Sequence, residues 1–225
     1  MNTFRPLFSS RFLFRFSLSC SYLGKLKEGE DLPERYAFPD FTLLEHFQET
    51  VPSAEKNPLH VRGAWNEEGM YFQFFVTGKK KPLWCREHQI QQSDRLELWL
   101  DTRDVRNVHR ATKYCHHFLI LPTGSGKDSQ QACFFALPIH RAKEQPNDIP
   151  RGSVSVFTKI LPDGYSTCVF LSEKALTGFY PEEFPRMGIA WALQDQELGE
   201  ITLTAGAPFA YQEDPSLWYT LELLK

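Results

Sequence analysis

The sequence lacks the motifs that identify most enzymes. It contains no nucleophile elbow, no H-E-x-x-H zinc motif and no dinucleotide-binding fingerprint. The run "TGSGKDS" resembles a phosphate-binding loop, but Leu121 stands where that loop needs glycine and Asp128 where it needs Ser or Thr. Because strand-like segments flank this run, we interpret it as a hairpin turn. We therefore predict that the chain is not an enzyme.

An excess of positive charge is also missing. Over 225 residues there are 25 Lys and Arg against 28 Asp and Glu, which gives a net charge of -3 with histidine neutral. Such a balance provides no basic field for nucleic acid or anionic lipid. No run of 18 apolar residues is present either, so no helix is expected to cross a membrane. We predict neither a nucleic-acid partner nor a membrane partner.

The sequence has little sign of disulfide bonds or of secretion. Its five cysteines are odd in number and widely scattered, with no C-x-x-C pair, which favours a reducing compartment. Near the start, Arg5, Arg11 and Arg15 interrupt the apolar stretch that a signal peptide requires. The expected location is the cytoplasm, with secretion as the alternative.

Helical patterns are scarce. Only "SEKALTGF", which begins at Ser172, and "FTLLEHFQ" near Leu43 predict short helices. Strand patterns recur instead, among them "MYFQFFV", "RLELWLD", "HFLIL", "SVSVFTKI" and "YSTCVFL", with "LPDG" as a hairpin turn. Residues 11–20 also alternate like a strand. We predict one all-β domain over residues 1–225, an antiparallel β-sandwich of the jelly-roll type with one or two short helices.

The segment from Ser93 to Phe118 holds the strongest chemical signal. Its first half points three leucines to one face and Arg95, Glu97, Trp99 and Asp101 to the other. Glu97 and the nearby Asp94 are carboxylates of the kind that accept hydrogen bonds from sugar hydroxyls or that bind Ca²⁺. We therefore regard this strand face as a candidate binding surface.

The second half of the same segment gathers histidine and cysteine. His109, Cys115 and His117 could hold a zinc ion if a loop brought His109 back to the strand. The alternative is a polar strand face, rimmed by Arg110, with one buried cysteine. Both interpretations remain open from the sequence.

Tryptophan supplies candidate stacking surfaces. Trp191 lies in the apolar run "IAWAL" and is predicted to be in the core. Trp84 lies in a polar loop next to Arg86, where its ring either stacks on a sugar or anchors the loop. Stacking of this kind contributes on the order of 1 kcal/mol per ring.

Three segments in order resemble the carbohydrate-binding modules of family 9, within a wider group of DOMON-like sandwiches. They are "AWNEEGMYFQFFV", "SDRLELWLDTRD" and "YQEDPSLWYTLEL", and the resemblance covers roughly residues 61–225. It implies a non-catalytic sandwich that binds soluble sugars or polysaccharide ends, often beside calcium, as a module attached to glycoside hydrolases in carbohydrate catabolism. It matches Glu97 and Asp94 to the family's acidic residues.

The same resemblance places two tryptophans around the sugar. Here Gln91 stands at the first of these positions, and Tyr211 with Gln212 at the second. The expected carbohydrate site therefore consists of Trp84, Arg86, Asp94, Glu97, Arg110 and Tyr211. Two other functions remain open: a structural or protein-interaction module, and a metal or haem domain. A DOMON-like haem site would use Met70 with His88 or His117.

Overall fold

The computed structural model describes residues 16–24, 30–40, 57–204, 206 and 209–225. Within them it contains the strands β1 (Ser17–Tyr22), β2 (Leu59–Asn66), β3 (Gly69–Thr77), β4 (Arg95–Asp101), β5 (Cys115–Ser125), β6 (Gln131–Ala136), β7 (Val154–Leu161), β8 (Gly164–Ser172), β9 (Arg186–Asp195), β10 (Gly199–Thr202) and β11 (Tyr219–Leu224). Three-residue 3-10 helices span Glu34–Tyr36, Glu87–Gln89, Glu173–Ala175 and Pro215–Leu217.

The strands form one sheet that folds over into two layers. Their order is β6-β5-β4-β9-β11-β1-β2-β3-β8-β7, and β10 pairs with β9 outside this path. All neighbours are antiparallel except at β1, which runs parallel to both β11 and β2. The two ends of the order, β6 and β7, contact each other, so the sheet is nearly closed. The predicted all-β sandwich is confirmed.

One apolar core lies between the two layers. It takes alternate residues from both of them, including Leu98 and Ile189 from one layer and Phe72, Phe74 and Leu171 from the other. Side chains of a strand alternate between faces, so the intervening residues point away from this core. The predicted burial of Leu96, Leu98, Leu100 and Trp191 is confirmed.

The turn predictions are confirmed as well. Pro162 and Asp163 connect β7 to β8 as a two-residue hairpin, in which Leu161 pairs with Gly164. The run "TGSGKDS" joins β5 to β6, where the main-chain N–H of Gly124 donates to the Ser129 carbonyl oxygen. At Gly124 the φ angle of 102° favours glycine, and an added Cβ would lie 2.8 Å from the Cys85 backbone.

The helix and N-terminal strand predictions have different outcomes. Ser172 precedes a 3-10 helix, Glu173–Ala175, and its side chain makes no capping hydrogen bond. This single turn is shorter than "SEKALTGF" predicted. The helix near Leu43 and residues 11–15 of the N-terminal strand lie outside the described residues. Strand β1 begins at Ser17, and Leu18 is buried on the expected face.

Additional segments cover the outer face of the β5-β4-β9 layer. Ala111, Ile139, Tyr211 and Trp218 pack there against Trp99, Ala190 and Ala192 in a second apolar cluster. The side chains of Arg95, Glu97 and Trp99 therefore lie between the sheet and its covering loops. All five cysteines are free thiols, of which Cys20, Cys85 and Cys115 are buried. None of the described helices is long and apolar enough to cross a membrane.

Candidate functional site

A polar cluster lies on the outer face of β4, β5 and the β9–β10 hairpin. We define it as Arg95, Glu97, His117, Gln194 and Glu200. Strand register brings these residues together. Arg95 pairs with Gln194, which pairs in turn with Glu200. His117 pairs with Trp99, which lies two residues along β4 from Glu97. The cluster therefore follows from the alternation of "RLELWLD" and from the pairing of its neighbours.

Glu97 is the centre of this cluster. Its two carboxylate oxygens accept hydrogen bonds from Arg95 Nε at 2.7 Å and from His117 Nε2 at 2.8 Å. Burial alone would raise the pKa of Glu97, but the hydrogen bonds and positive charges of His117 and Arg95 outweigh burial and lower it. Glu97 is therefore a fixed, ionised acceptor.

Aromatic rings lie next to these charges. The His117 imidazole stacks on Trp99 with ring centroids 4.5 Å apart and an angle of 15° between the planes. Tyr211 packs edge-on against Trp99 at 5.4 Å. Trp99 is fully buried, and its Nε1 finds no hydrogen-bond partner among the described residues. Such a buried donor costs about 1–3 kcal/mol unless water or a ligand hydroxyl satisfies it.

Glu200 and Gln194 form the exposed side of the cluster. Glu200 Oε1 accepts hydrogen bonds from Gln194 Nε2 at 2.7 Å and from Tyr211 Oη at 2.8 Å. Its second oxygen, Oε2, accepts none within the described part of the chain. Burial, and then the neighbouring Glu200 carboxylate, raises the pKa of Tyr211. Tyr211 is thus a buried donor that orients Glu200.

The remaining predicted sugar-site residues lie at several places. Asp94 is buried, and its carboxylate accepts hydrogen bonds from the main-chain N–H groups of Trp84 at 3.0 Å and Gln196 at 2.9 Å. It also pairs with Lys79 at 3.4 Å. Asp94 therefore fastens the loop that carries Trp84. A ligand hydroxyl could not reach its oxygens without displacing these donors.

The periphery of the polar cluster contains Trp84, Arg86 and Arg110. Trp84 is half-buried, and the exposed Arg86 guanidinium lies 5.7 Å from the centre of its ring. Arg95 connects this loop to the cluster through a 2.8 Å hydrogen bond from Nη1 to the Gln91 carbonyl oxygen. Arg110 is exposed and donates to the Arg141 carbonyl oxygen at 2.8 Å.

The residues considered for a metal are separated. Cys115 and His117 face the same side of β5, but His109 is held elsewhere by Asp214 at 3.1 Å. Burial raises the pKa of the Cys115 thiol to about 12. Among the described residues, no three His, Cys, Asp or Glu side chains are placed to hold a metal. Met70 lies in the core whereas His117 faces away from it, so these two cannot share a haem iron.

Two carboxylates at the end of the candidate strand are held by hydrogen bonds and ion pairs within the protein. Asp101 accepts hydrogen bonds from the N–H groups of Arg103 and Val105. Asp104 contacts the hydroxyl of Thr220 and lies against Arg106. Both carboxylates thus fix the turn that follows β4.

A second polar feature lies on the core side of β5. His116 is buried, and its Nε2 finds no hydrogen-bond partner among the described residues. Burial lowers the pKa of His116 to about 4. The residue lines a cavity of about 170 Å³ together with Phe118, Pro138 and Ile149.

The sequence analysis missed several members of the polar cluster. The alternation of "RLELWLD" places Arg95 on the same face as Glu97, but it predicts no function for Arg95. Gln194 and Glu200 flank "DQELG", which contains the β9–β10 turn, and only strand register shows that they reach Arg95. His117 was considered for zinc, whereas the structure pairs it with Glu97.

Comparisons with known proteins bear on the fold. Neither a protein-family model nor a curated protein sequence matches the chain. Two similar solved structures are of a family 9 carbohydrate-binding module from Caldicellulosiruptor kristjanssonii, one with cellotriose and one with glucose. Both have a TM-score of 0.58 at 15% identity. The cellotriose complex covers 93% of this chain and 94% of its own, and the glucose complex 92% and 95%. The chain thus has the fold of these modules, which are non-catalytic.

Proposed function

We propose that this chain is a non-catalytic carbohydrate-binding domain and that the exposed side of the polar cluster contacts the sugar. The observation that carries the proposal is the network joining Arg95, Glu97 and His117 next to the Trp99 ring. The likeness in fold to modules whose structures hold cellotriose and glucose supports a neutral glucose-based ligand.

The chemistry of the cluster suits a sugar because each hydroxyl both donates and accepts a hydrogen bond. Glu200 Oε2 accepts, while the Gln194 amide and the Arg95 guanidinium can donate. These groups are held by protein partners before a ligand arrives, so little side-chain freedom is lost on binding. A ligand that lacks a matching hydroxyl would leave a polar group unpaired, and this provides selectivity.

The residues expected from the sequence take supporting positions in this proposal. Glu97 fixes Arg95, and Tyr211 fixes Glu200. Asp94 holds the loop of Trp84 and Arg86 beside the cluster. Arg110 lies on a peripheral loop, where a longer oligosaccharide could extend. None of these roles requires bond cleavage.

The test is calorimetric titration of the protein with glucose, cellotriose and maltotriose, comparing Glu200→Gln with wild type. Glu200→Gln removes the charge but keeps the shape, and we expect about tenfold weaker binding, because hydrogen bonds to charged groups contribute more than neutral ones. Glu173→Gln, at an exposed position on a 3-10 helix, is the matched control. Failure of all three sugars to bind, or equal binding by both variants, would contradict the proposal.

A protein-interaction role is the second candidate. Phe157 and Ile160 on β7 are large apolar side chains that are 51% and 59% exposed, so either could contact a partner. If this role is correct, Phe157→Ser will abolish association with a protein partner and leave sugar titrations unchanged. Pull-down of a stoichiometric partner by wild type but not by Phe157→Ser would support it, and equal recovery by both proteins would contradict it.

A further inference from the structure

A basic groove opens at one end of the sandwich, and its lining contains none of the residues of the polar cluster. The loop after β3, the β5–β6 turn and the β7–β8 turn form its walls, and its volume is about 820 Å³. Ligand sites for small molecules typically occupy about 300–1,000 Å³. The groove is therefore large enough for an oligosaccharide.

Charges of one sign dominate the lining. Lys80, Lys81 and Arg86 face the groove and are exposed, whereas Asp128 is the one acid among the described residues that line it. No carboxylate of the described residues forms an ion pair with either of the two lysines. Positive charges in a concave surface concentrate anions there.

The lysine segment already binds one carboxylate of the protein itself. Glu197 Oε2 accepts hydrogen bonds from the main-chain N–H of Lys80 at 3.0 Å and of Lys81 at 2.9 Å. The main-chain hydrogen bond from Lys81 lowers the pKa of Glu197. Desolvation opposes this effect, and the hydrogen bond from Lys80 adds to it. Glu197 offsets part of the local positive charge. Its hydrogen bonds come from main-chain N–H groups, so the ammonium groups of Lys80 and Lys81 stay available to a ligand.

The walls of the groove are held in place. Lys79 is buried between Asp94, at 3.4 Å, and Asp195, at 2.5 Å, and this ion-pair network anchors the start of the lysine run. Across the groove, Ser129 and Gln130 provide a hydroxyl and an amide that can bind uncharged sugar groups. At the rim, Arg86 lies over the half-buried Trp84 ring.

We propose that this groove binds anionic saccharides, in which carboxylate or sulfate groups pair with Lys80, Lys81 and Arg86. The anion part of the proposal stands on the groove alone, while the saccharide part rests on the proposed function. The groove would be a second site, distinct from the polar cluster, and would allow one domain to bind charged and neutral sugars.

The test is calorimetric titration with trigalacturonate at low and at physiological salt. We expect binding that weakens about tenfold in the double variant Lys80→Gln/Lys81→Gln, and that also weakens as salt rises. The control, Lys143→Gln/Lys174→Gln, removes the same charge from exposed positions outside the groove and should bind like wild type. Thermal unfolding of both variants verifies that they fold.

The outcomes separate this proposal from the proposed function. The groove proposal would be overturned if trigalacturonate did not bind, or if the control variant weakened its binding equally. Either result would count even if cellotriose binds. Trigalacturonate binding that the groove variant weakens would support it even if cellotriose fails, in which case the polar-cluster proposal falls. Sodium sulfate is the third probe. If it displaces trigalacturonate at equal concentration, the groove recognises simple anions and the saccharide part is overturned.

Discussion

The polar cluster and the basic groove both carry charged side chains, but they differ in how those charges are compensated. In the cluster, Glu97 is bonded to Arg95 and His117, so its charge is neutralised and its position fixed. In the groove, Lys80 and Lys81 are exposed and form no ion pair with the described residues. Compensated charge builds a rigid surface suited to neutral hydroxyls, whereas uncompensated charge attracts anions.

The run Lys79-Lys80-Lys81 contains this difference within three residues. The Lys79 side chain is 4% exposed and contacts two aspartates, while the next two lysines face solvent. Identical side chains thus act as a structural anchor or as a ligand-binding group, depending on the residues that surround them.

Lys79→Met should have the largest effect, because it breaks the anchor and leaves Asp94 and Asp195 buried without their cation. Removal of one partner of a buried ion pair costs about 3–5 kcal/mol, and we expect a loss of unfolding free energy of this size in urea titrations. A loss no greater than that of Lys80→Met would show that the three lysines are equivalent.

Acid should cause the next largest loss of stability, because His116 is a buried polar group without compensation. Its folded pKa of about 4 lies below its ordinary value of 6.5. The unfolded chain therefore binds the proton first, and stability falls as pH decreases from about 6.5 to about 4.

This contribution amounts to about 3 kcal/mol across that pH window. Urea titrations at several pH values should show a shallower decline for His116→Phe than for wild type. Similar slopes for the two proteins would mean that His116 does not govern the acid response.

Glu97→Gln tests whether the cluster depends on its central charge. The amide keeps the size of the side chain but weakens its bonds to Arg95 and His117. We expect a loss of about 1–2 kcal/mol, with weaker sugar binding as Arg95 becomes mobile. Urea titration and calorimetry provide the two measurements, and unchanged values in both would remove Glu97 from the site.

Lys80→Met/Lys81→Met should have the smallest effect on stability. Exposed substitutions away from structural contacts change the free energy of unfolding by about 0.5 kcal/mol or less. A larger loss, measured by urea titration, would show that the groove lysines support the fold, and the contrast with Lys79 would disappear.

Much of the fold could be predicted because its signals are local. The alternation of "RLELWLD" correctly assigned Leu96, Leu98 and Leu100 to the core and Glu97 and Trp99 to the other face. Similarly, the residues of "LPDG" themselves favour a turn, and the structure has one there. The parallel pairing of β1 with both β11 and β2 could not be predicted, since no local pattern specifies the partner of a strand.

The site was harder to predict because compensation of charge is a long-range property. Asp94 lies near Glu97 in the sequence and was predicted to bind the sugar. In the structure, Lys79 and Gln196 contact it from other loops. Tyr211 appeared as a stacking ring, yet its loop buries it against Trp99. Only the order of the strands reveals that Gln194 and Glu200 extend the Arg95 surface.

The place of β11 in the sheet has a consequence for synthesis on the ribosome. This strand joins β9 to β1 and so connects the two layers, yet it is the last of the described strands to be translated. Until it emerges, the edges of β9 and β1 remain open to other nascent chains. We expect this domain to need a chaperone most in the interval between the emergence of β9 and that of β11.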